Sequence, residues 1–106
     1  MKEYRLGNSR EGVISLFPER TIKQVSLGDQ KVCVARIGER FFAFEGLCPH
    51  RMASLSEGWI TAFDEVVCPL HQYRFELASG RVSSGDCREL ICFKAILDDG
   101  GLLIYL

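Results

Sequence analysis

Short runs rich in hydrophobic, β-branched or aromatic residues, separated by turns that contain glycine, recur along this chain. Three runs lie close together and predict a meander of strands over Ile22 to Leu27, Lys31 to Ile37 and Arg40 to Glu45. The third run carries three phenylalanines, which suits a strand that packs on both faces of a sheet. Glycines at positions 28 and 38 favour tight turns between the three strands.

The second half of the chain contains further strand candidates. They are Glu65 to Cys68, Arg74 to Leu77, Glu89 to Leu97 and Leu102 to Leu106. An Asp-Asp-Gly-Gly sequence joins the last two and is typical of a hairpin turn. No segment of about eleven residues has the spacing of an amphipathic helix, and only Arg51 to Glu57 is compatible with a helical turn. We therefore predict an all-β fold.

Length and composition limit the domain organisation. A chain of 106 residues fits one domain of ordinary size, so we expect residues 1–106 to form a single domain. Hydrophobic residues make up 47% of the chain and charged residues 25%, which is close to the average for globular proteins. Periodicity is weakest over about residues 46–64, between the two groups of strands, and this irregular region begins the part of the chain that carries candidate chemistry.

The balance of charge excludes two classes of partner. Thirteen basic and fourteen acidic residues give a net charge of −1, which provides no electrostatic footprint for nucleic acid or anionic lipid. The N-terminus lacks the apolar core of a signal peptide, and no stretch approaches the ~18 consecutive apolar residues of a membrane span. We expect a cytoplasmic protein with no membrane or nucleic-acid partner.

Five cysteines are too few and odd in number for a disulfide scaffold, so we interpret them as metal ligands or core thiols. Cys33 and Cys92 lie inside predicted strands and are expected to be small buried hydrophobic residues. Cys87 lies in a turn-like stretch and is expected to be an ordinary loop thiol. The remaining two cysteines each stand close to a histidine.

These two cysteines define a pair of short boxes, Cys48-Pro49-His50 and Cys68-Pro69-Leu70-His71, with 17 residues between them. Either box alone is weak evidence, but two in one small domain form a much stronger pattern. Thiolate and imidazole are ligands of borderline-soft metals, and the proline after each cysteine restricts the backbone of its loop. We therefore predict a metal site at Cys48, His50, Cys68 and His71.

The order of the ligands bears on the identity of the metal. A tetrahedral zinc ion with two cysteines and two histidines is chemically possible, but zinc sites commonly group the cysteines in one box and the histidines in another. Here each box is mixed. Mixed boxes suit a dinuclear centre in which one iron takes both cysteines and the other takes both histidines.

The sequences around the boxes, CPHRMASLSEG at 48–58 and VCPLHQYRFELASG at 67–80, closely resemble soluble Rieske-type ferredoxins. The similarity is densest over residues 42–81. The resemblance implies stacked antiparallel β-sheets with a small inserted cluster-binding subdomain at about residues 46–80. It also implies one Rieske [2Fe–2S] cluster, with Cys48 and Cys68 on one iron and His50 and His71 on the outer iron.

The chain departs from high-potential members of that family. It lacks the extra cysteine in each box that would form a disulfide brace, and Tyr73 and Phe75 stand where those proteins carry hydroxyl donors. Fewer hydrogen bonds to the cluster sulfurs favour a midpoint potential near the lower end of the Rieske range. Gln72 stands where glycine often follows the second histidine, so the backbone there either avoids positive φ or accepts strain.

The resemblance implies a carrier of single electrons rather than an enzyme. A Rieske oxygenase needs two further histidines for a mononuclear iron, and His50 and His71 are the only histidines present. We expect transfer from a flavin-dependent reductase to a terminal oxygenase. The alternatives are the small subunit of an assimilatory nitrite reductase, bound to its large subunit, and a structural or interaction module stabilised by zinc.

Overall fold

A computed structural model of the chain describes residues 2–106, which form antiparallel sheets with two short helices. The strands are β1 (Glu3–Leu6), β2 (Ile22–Leu27), β3 (Gln30–Ile37), β4 (Arg40–Glu45), β5 (Trp59–Ile60), β6 (Glu65–Val67), β7 (Arg74–Glu76), β8 (Val82–Ser84), β9 (Cys92–Asp98) and β10 (Gly101–Tyr105). The helices are the α-helix α1 (Arg10–Leu16) and a 3-10 helix at Leu55–Glu57. The predicted all-β class is confirmed.

All seven predicted strands are present, most with a shift of one residue at an end, and the largest difference is at β9. This strand begins at Cys92 rather than at residue 89. The residues before it make other backbone contacts: the N–H of Leu90 donates to the carbonyl of Gly80 at 2.8 Å, and the carbonyl of Ile91 accepts from Glu45 at 2.9 Å. These contacts tie residues 90 and 91 to two separate segments.

Four elements were not predicted: α1, β1, β5 and β8. The helix α1 has only seven residues, too few for a helical period to be recognised, and it starts where the Ser9 hydroxyl accepts from the Gly12 N–H at 3.0 Å. The strands β5 and β8 have two and three residues, and β1 is defined by its pairing with β10. No helix in the described part of the chain is long and apolar enough to cross a membrane.

The larger sheet has six strands in the order β1-β10-β9-β4-β3-β2. Successive side chains of a strand point to opposite faces of a sheet, and in the central strands the side chains on both faces are buried. Along β3, Val32 and Val34 face one core, and Cys33 and Ala35 face another. This explains the nearly continuous hydrophobic run in that strand.

The smaller sheet has four strands in the order β5-β6-β7-β8 and is inserted in the chain between β4 and β9. It spans residues 59–84, so its last strand lies beyond residue 80. One loop precedes this sheet, closed by an isolated bridge between Leu47 and Ser54, and another loop joins β6 to β7. The two cysteine-histidine boxes lie in these two loops.

Two hydrophobic cores hold the sheets. The first, which we call the basal core, lies on one face of the six-stranded sheet and is formed by Val13, Phe17, Leu27, Val32, Val34, Phe41, Ala43, Leu102 and Ile104. The second, the shared core, contains residues of both sheets and is formed by Cys33, Ala35, Phe44, Cys48, Leu55, Val66, Cys68, Phe75, Leu77 and Leu90. The shared core therefore connects the six-stranded sheet to the two loops.

Candidate metal centre

The first loop is closed by its own backbone. The N–H of Cys48 donates to the carbonyl of Ala53 at 2.8 Å, and the N–H of Met52 donates to the carbonyl of Cys48 at 2.7 Å. Met52 has φ of +57°, a left-handed conformation that turns the chain back toward Ser54. These contacts fix the Cys48 thiol toward the shared core and place His50 at the tip of the loop.

The second loop turns just as sharply. The N–H of Cys68 donates to the carbonyl of Tyr73 at 2.8 Å, and the turn between them contains two consecutive residues with positive φ, His71 at +64° and Gln72 at +56°. Gln72 therefore does not avoid positive φ but accepts the strained conformation. Glycine would adopt the same conformation at lower cost.

Three of the four predicted ligands converge. The donor atoms of Cys48, His50 and Cys68 all lie within 4.8 Å of one another, and Sγ of Cys48 lies 2.8 Å from Nδ1 of His50. His71 is adjacent but does not join this group, and its ring centroid lies 5.7 Å from that of His50. The two cysteines are buried, His50 is half-buried and His71 is exposed.

This spacing allows the zinc and dinuclear alternatives to be compared. Four ligands of one tetrahedral zinc ion, each about 2.0–2.3 Å from the metal, lie within about 4 Å of one another. His71 falls outside the group, so the set is wider than one ion requires. A dinuclear cofactor takes two thiolates and two imidazoles on two metals, and this is the donor set that the two boxes supply.

Burial shifts the protonation equilibria of two candidate ligands, Cys48 and His50. Burial raises the pKa of the Cys48 thiol to about 11, and the neighbouring Cys68 thiol adds to the rise, against a smaller opposite effect of the backbone N–H groups of His50 and Arg51. Burial also lowers the pKa of His50, assisted by His71 and Arg51, which favours the neutral ring that binds metal. A bound metal would replace the thiol protons and remove the cost of burying thiolates.

Aromatic residues enclose the site. The Tyr73 ring is stacked on the His50 ring at 3.9 Å between centroids, with 14° between the planes. Phe75 is completely buried and offers no hydrogen-bond donor. Gly85 lies against Tyr73, so closely that a Cβ at this position would come within 2.6 Å of the tyrosine Cγ. Gly85 was not predicted as a site residue, although its place in the Ser-Ser-Gly-Asp sequence at the end of β8 is a signal for positive φ.

The model of the Rieske [2Fe-2S] domain matches residues 11–94, which include both boxes and most of the two sheets. The chain belongs to the Rieske [2Fe-2S] domain family. A cofactor of this family is a cluster with mixed cysteine and histidine ligation, so the cofactor of this Rieske chain is a [2Fe–2S] cluster. The donor set of two buried thiols and two neighbouring imidazoles fits it.

Sequence relatives of this Rieske chain are ferredoxins. Ferredoxin CarAc of Metapseudomonas resinovorans is 38% identical over 68 residues, which cover 63% of each chain. The biphenyl dioxygenase ferredoxin subunit of Pseudomonas sp. (strain KKS102) is 41% identical over 61 residues, covering 58% of this chain and 56% of that subunit. The matched part thus spans less than two thirds of each of these curated relatives.

A solved structure extends the likeness to nearly the whole chain. In a complex of reduced oxygenase and oxidised ferredoxin in carbazole 1,9a-dioxygenase, one chain is 29% identical with a TM-score of 0.80. The match covers 96% of this Rieske chain and 91% of the other. This likeness confirms the antiparallel Rieske-type fold that was expected from the sequence.

The three other cysteines of this Rieske chain differ in environment. Cys33 is fully buried, as predicted, and burial raises the pKa of its thiol to about 12. The prediction for Cys92 is wrong, because it is exposed at the start of β9, where neighbouring strand residues alternate between exposed and half-buried. Cys87 is half-buried and packs against the shared core, which contains both candidate cysteine ligands.

Proposed function

We propose that this chain is an electron carrier that receives single electrons from a flavin-dependent reductase and delivers them to a terminal oxygenase, and that it is not an enzyme on its own. The observation that carries the proposal is the exposure of His71, whose ring neighbours that of His50 in the candidate metal centre. The likeness to the ferredoxin in the carbazole 1,9a-dioxygenase complex supports the choice of partner.

The proposed ligands are Cys48, His50, Cys68 and His71. Within a single domain over residues 1–106, we take the cluster-binding subdomain, expected over residues 46–80, to extend through β8 to residue 84, and the remainder to form the basal sheet. When bound, the cluster supplies a one-electron redox couple. The backbone bonds that close the two loops hold the ligands in place before the cofactor arrives, and the shared core keeps water from the thiols.

The surface beside His71 suits brief contact with another protein. Leu70, next to His71, and Met52, in the other loop, expose 41% and 69% of their surfaces. Exposed apolar side chains beside a redox site lower the cost of removing water when a partner approaches. We therefore place the contact with both the reductase and the oxygenase at this tip. We also propose that the protein is located in the cytoplasm.

Rapid-mixing kinetics would test the proposal. Chemically reduced protein is mixed with an oxidised terminal oxygenase of the carbazole 1,9a-dioxygenase type, and the visible absorption of each partner is followed. We expect transfer of one electron per molecule of this protein. Failure to transfer to that oxygenase or to those of related aromatic dioxygenases would contradict the proposed role.

The similarity to the biphenyl dioxygenase ferredoxin subunit and to the ferredoxin of the carbazole 1,9a-dioxygenase complex favours this role over the nitrite reductase alternative. Co-purification distinguishes the two, because a fixed subunit would remain bound to a large chain containing sirohaem, and an electron carrier would not. The zinc alternative predicts a colourless protein with stoichiometric zinc, whereas a Rieske cluster absorbs visible light.

The midpoint potential of the bound cluster follows from the residues around it. Phe75 donates no hydrogen bond where high-potential members carry a hydroxyl group, and the disulfide brace is absent from the two loops. We expect a potential of roughly −150 mV, at the lower end of the Rieske range. A redox titration that gave more than about +100 mV would contradict this argument.

A further inference from the structure

Residues 85–91, which connect β8 to β9, lie beside the candidate metal centre although they supply none of the four proposed ligands. Cys87 packs against the shared core, which contains both candidate cysteine ligands. Arg88, the next residue, reaches the end of β4 and pairs there with Glu45. This contact places a charged pair at the point where the first loop starts.

The pair of Glu45 and Arg88 is held by several hydrogen bonds. Nη1 and Nη2 of Arg88 donate to the two carboxylate oxygens of Glu45 at 2.7 and 2.8 Å, an arrangement that fixes the plane of the guanidinium. Nη1 also donates to the carbonyl of Glu89 at 2.9 Å, and the N–H of Ile91 donates to the Glu45 carboxylate at 2.7 Å. The positive charge of Arg88 is therefore fixed in position.

Both charges lie near the first candidate ligand. Glu45 precedes Cys48 by three residues, so their Cα atoms are at most about 11 Å apart. The hydrogen bond to Glu45 raises the pKa of the Arg88 guanidinium against the opposite effect of burial, and a negative charge on Cys48 adds to the rise. The Arg88 charge therefore interacts with a Cys48 thiolate, which is the form that binds metal.

The two members of the pair differ in exposure to solvent. The side chain of Glu45 is 17% exposed and that of Arg88 is 53% exposed, so water screens the positive charge more strongly than the negative one. Reduction adds one negative charge to a [2Fe–2S] cluster, which a nearby cation stabilises and a nearby anion destabilises. Arg88 and Glu45 therefore act on the reduced state in opposite directions.

We propose that Glu45 and Arg88 together tune the midpoint potential of the cluster: the Arg88 charge, held in place by Glu45, stabilises the reduced state, and the less exposed carboxylate of Glu45 opposes it. The inference rests on the proposed ligation of the cluster by Cys48. Neither residue of the pair is a ligand, and each acts on the potential through its charge.

Redox titration of the protein with bound cluster, followed by its visible absorption at low ionic strength, measures the two effects separately. Arg88→Gln should lower the midpoint potential, because it removes the positive charge and leaves the Glu45 carboxylate bonded to the N–H of Ile91. Glu45→Gln should raise the potential, because it removes the negative charge and its amide oxygen can still accept from Arg88.

The size of each shift follows from Coulomb's law. A unit charge at about 10 Å, in a dielectric between that of a protein surface and that of water, changes an equilibrium constant about threefold. We therefore expect the equilibrium constant for reduction to fall about threefold in Arg88→Gln and to rise about threefold in Glu45→Gln, a shift of about 28 mV each for one electron. The double variant should return the potential close to that of the natural chain.

The opposite signs distinguish a charge effect from a structural one. Loosening of residues 85–91 would admit water to the cluster, which stabilises the more negative reduced state and would raise the potential in both variants. Arg88→Lys keeps the charge but loses the two-pronged hydrogen bond, and it should restore most of the potential that is lost in Arg88→Gln.

Arg5 and Asp98 provide a matched control, because they form a second pair with two hydrogen bonds, at 2.6 and 3.3 Å. Asp98 ends β9 and lies six residues beyond Cys92, about 20 Å along the strand, where exposed charges are largely screened. Arg5→Gln and Asp98→Asn should therefore leave the midpoint potential unchanged.

An unchanged or higher potential in Arg88→Gln, a lower potential in Glu45→Gln, or an equal shift in the control variants would each overturn the inference. If Glu45→Gln does not retain its cluster, the sign of the shift in Arg88→Gln decides alone, since Arg88 is exposed and its substitution leaves the hydrophobic cores intact. A natural chain that binds no cluster would contradict the proposed ligation and this inference with it.

Discussion

The two sheets of this protein are stabilised in different ways. The six-stranded sheet has strands of up to eight residues and a basal core that contains only hydrophobic side chains. The four-stranded sheet has strands of two or three residues, and the core beneath it includes the thiols of Cys48 and Cys68. Hydrophobic burial accounts for the first sheet, whereas under the proposed ligation the second would rely in addition on the ligands that tie its loops together.

The difference implies that loss of the cofactor and loss of core packing should affect different regions. Removing a ligand should loosen the loops and the four-stranded sheet, and leave the basal core folded. Removing a basal side chain should lower the free energy of unfolding without altering the ligand set. The following experiments test this separation, beginning with the largest expected effect.

His71→Ala should abolish the visible absorption of the cluster and lower the melting temperature, since a bound cofactor stabilises the folded state. His71 is exposed, so its side chain contributes little packing and the loss reports ligation. Absorption spectroscopy and thermal unfolding measure both effects. Glu57→Ala, at an exposed residue of the 3-10 helix, is the control, and an unchanged spectrum in His71→Ala would remove His71 from the ligand set.

Leu102→Ala should destabilise the protein by about 2–5 kcal/mol, because it removes a fully buried side chain from the basal core. Denaturant unfolding measures the loss, and the absorption of the folded fraction should remain that of the natural chain. Ile96→Ala, at an exposed position of β9, should change stability by less than about 0.5 kcal/mol. Cluster loss from folded Leu102→Ala would show that the two regions are not separable.

Glu45→Gln probes the connection between the sheets at the end of β4. The Glu45 carboxylate accepts from Arg88 at 2.7 and 2.8 Å and from the N–H of Ile91 at 2.7 Å. Burial alone would raise the pKa of Glu45, but these hydrogen bonds and the Arg88 charge outweigh it and lower the pKa below its ordinary value of 4.5. We expect the substitution to cost about 1 kcal/mol near neutral pH.

The pH dependence of this cost has a definite sign. A carboxylate with a lowered pKa contributes its full stability above pH 4.5 and loses it as the pH falls through the folded-state value. The difference in unfolding free energy between Glu45→Gln and the natural chain should therefore disappear in acid. A difference that is constant down to the lowest pH at which the protein folds would show that the carboxylate charge is not responsible.

Gln72→Gly should have the smallest effect, a gain in stability of up to about 1 kcal/mol. Gln72 has φ of +56°, which glycine adopts without the steric cost that a side chain carries. Thermal unfolding of the protein with bound cluster measures the change, and the spectrum should not alter. Lys94→Gly, at an exposed strand position, should act in the opposite direction, and equal losses in both variants would contradict the assignment of strain to Gln72.

The sequence was informative where a periodic or spaced pattern exists. The meander from β2 to β4 follows from runs of β-branched and aromatic residues between glycine turns, and the four candidate ligands follow from two short boxes. The same patterns could not predict α1, which has only seven residues, or β5 and β8, whose two or three residues carry no period. The stack of Tyr73 on His50 was also not predictable, because it depends on the register of β7 against β8 and on a glycine far along the chain.

Electron paramagnetic resonance of the reduced protein, labelled with nitrogen-15 histidine, tests most directly the claim that both histidines ligate the cluster. Since the chain has only His50 and His71, the account predicts strong hyperfine coupling of the cluster electron to two histidine nitrogens, one from each ring. The coupling from His71 should vanish in His71→Ala together with the Rieske spectrum. A reduced cluster with no histidine coupling, or with coupling to only one ring, would contradict the proposed ligand set.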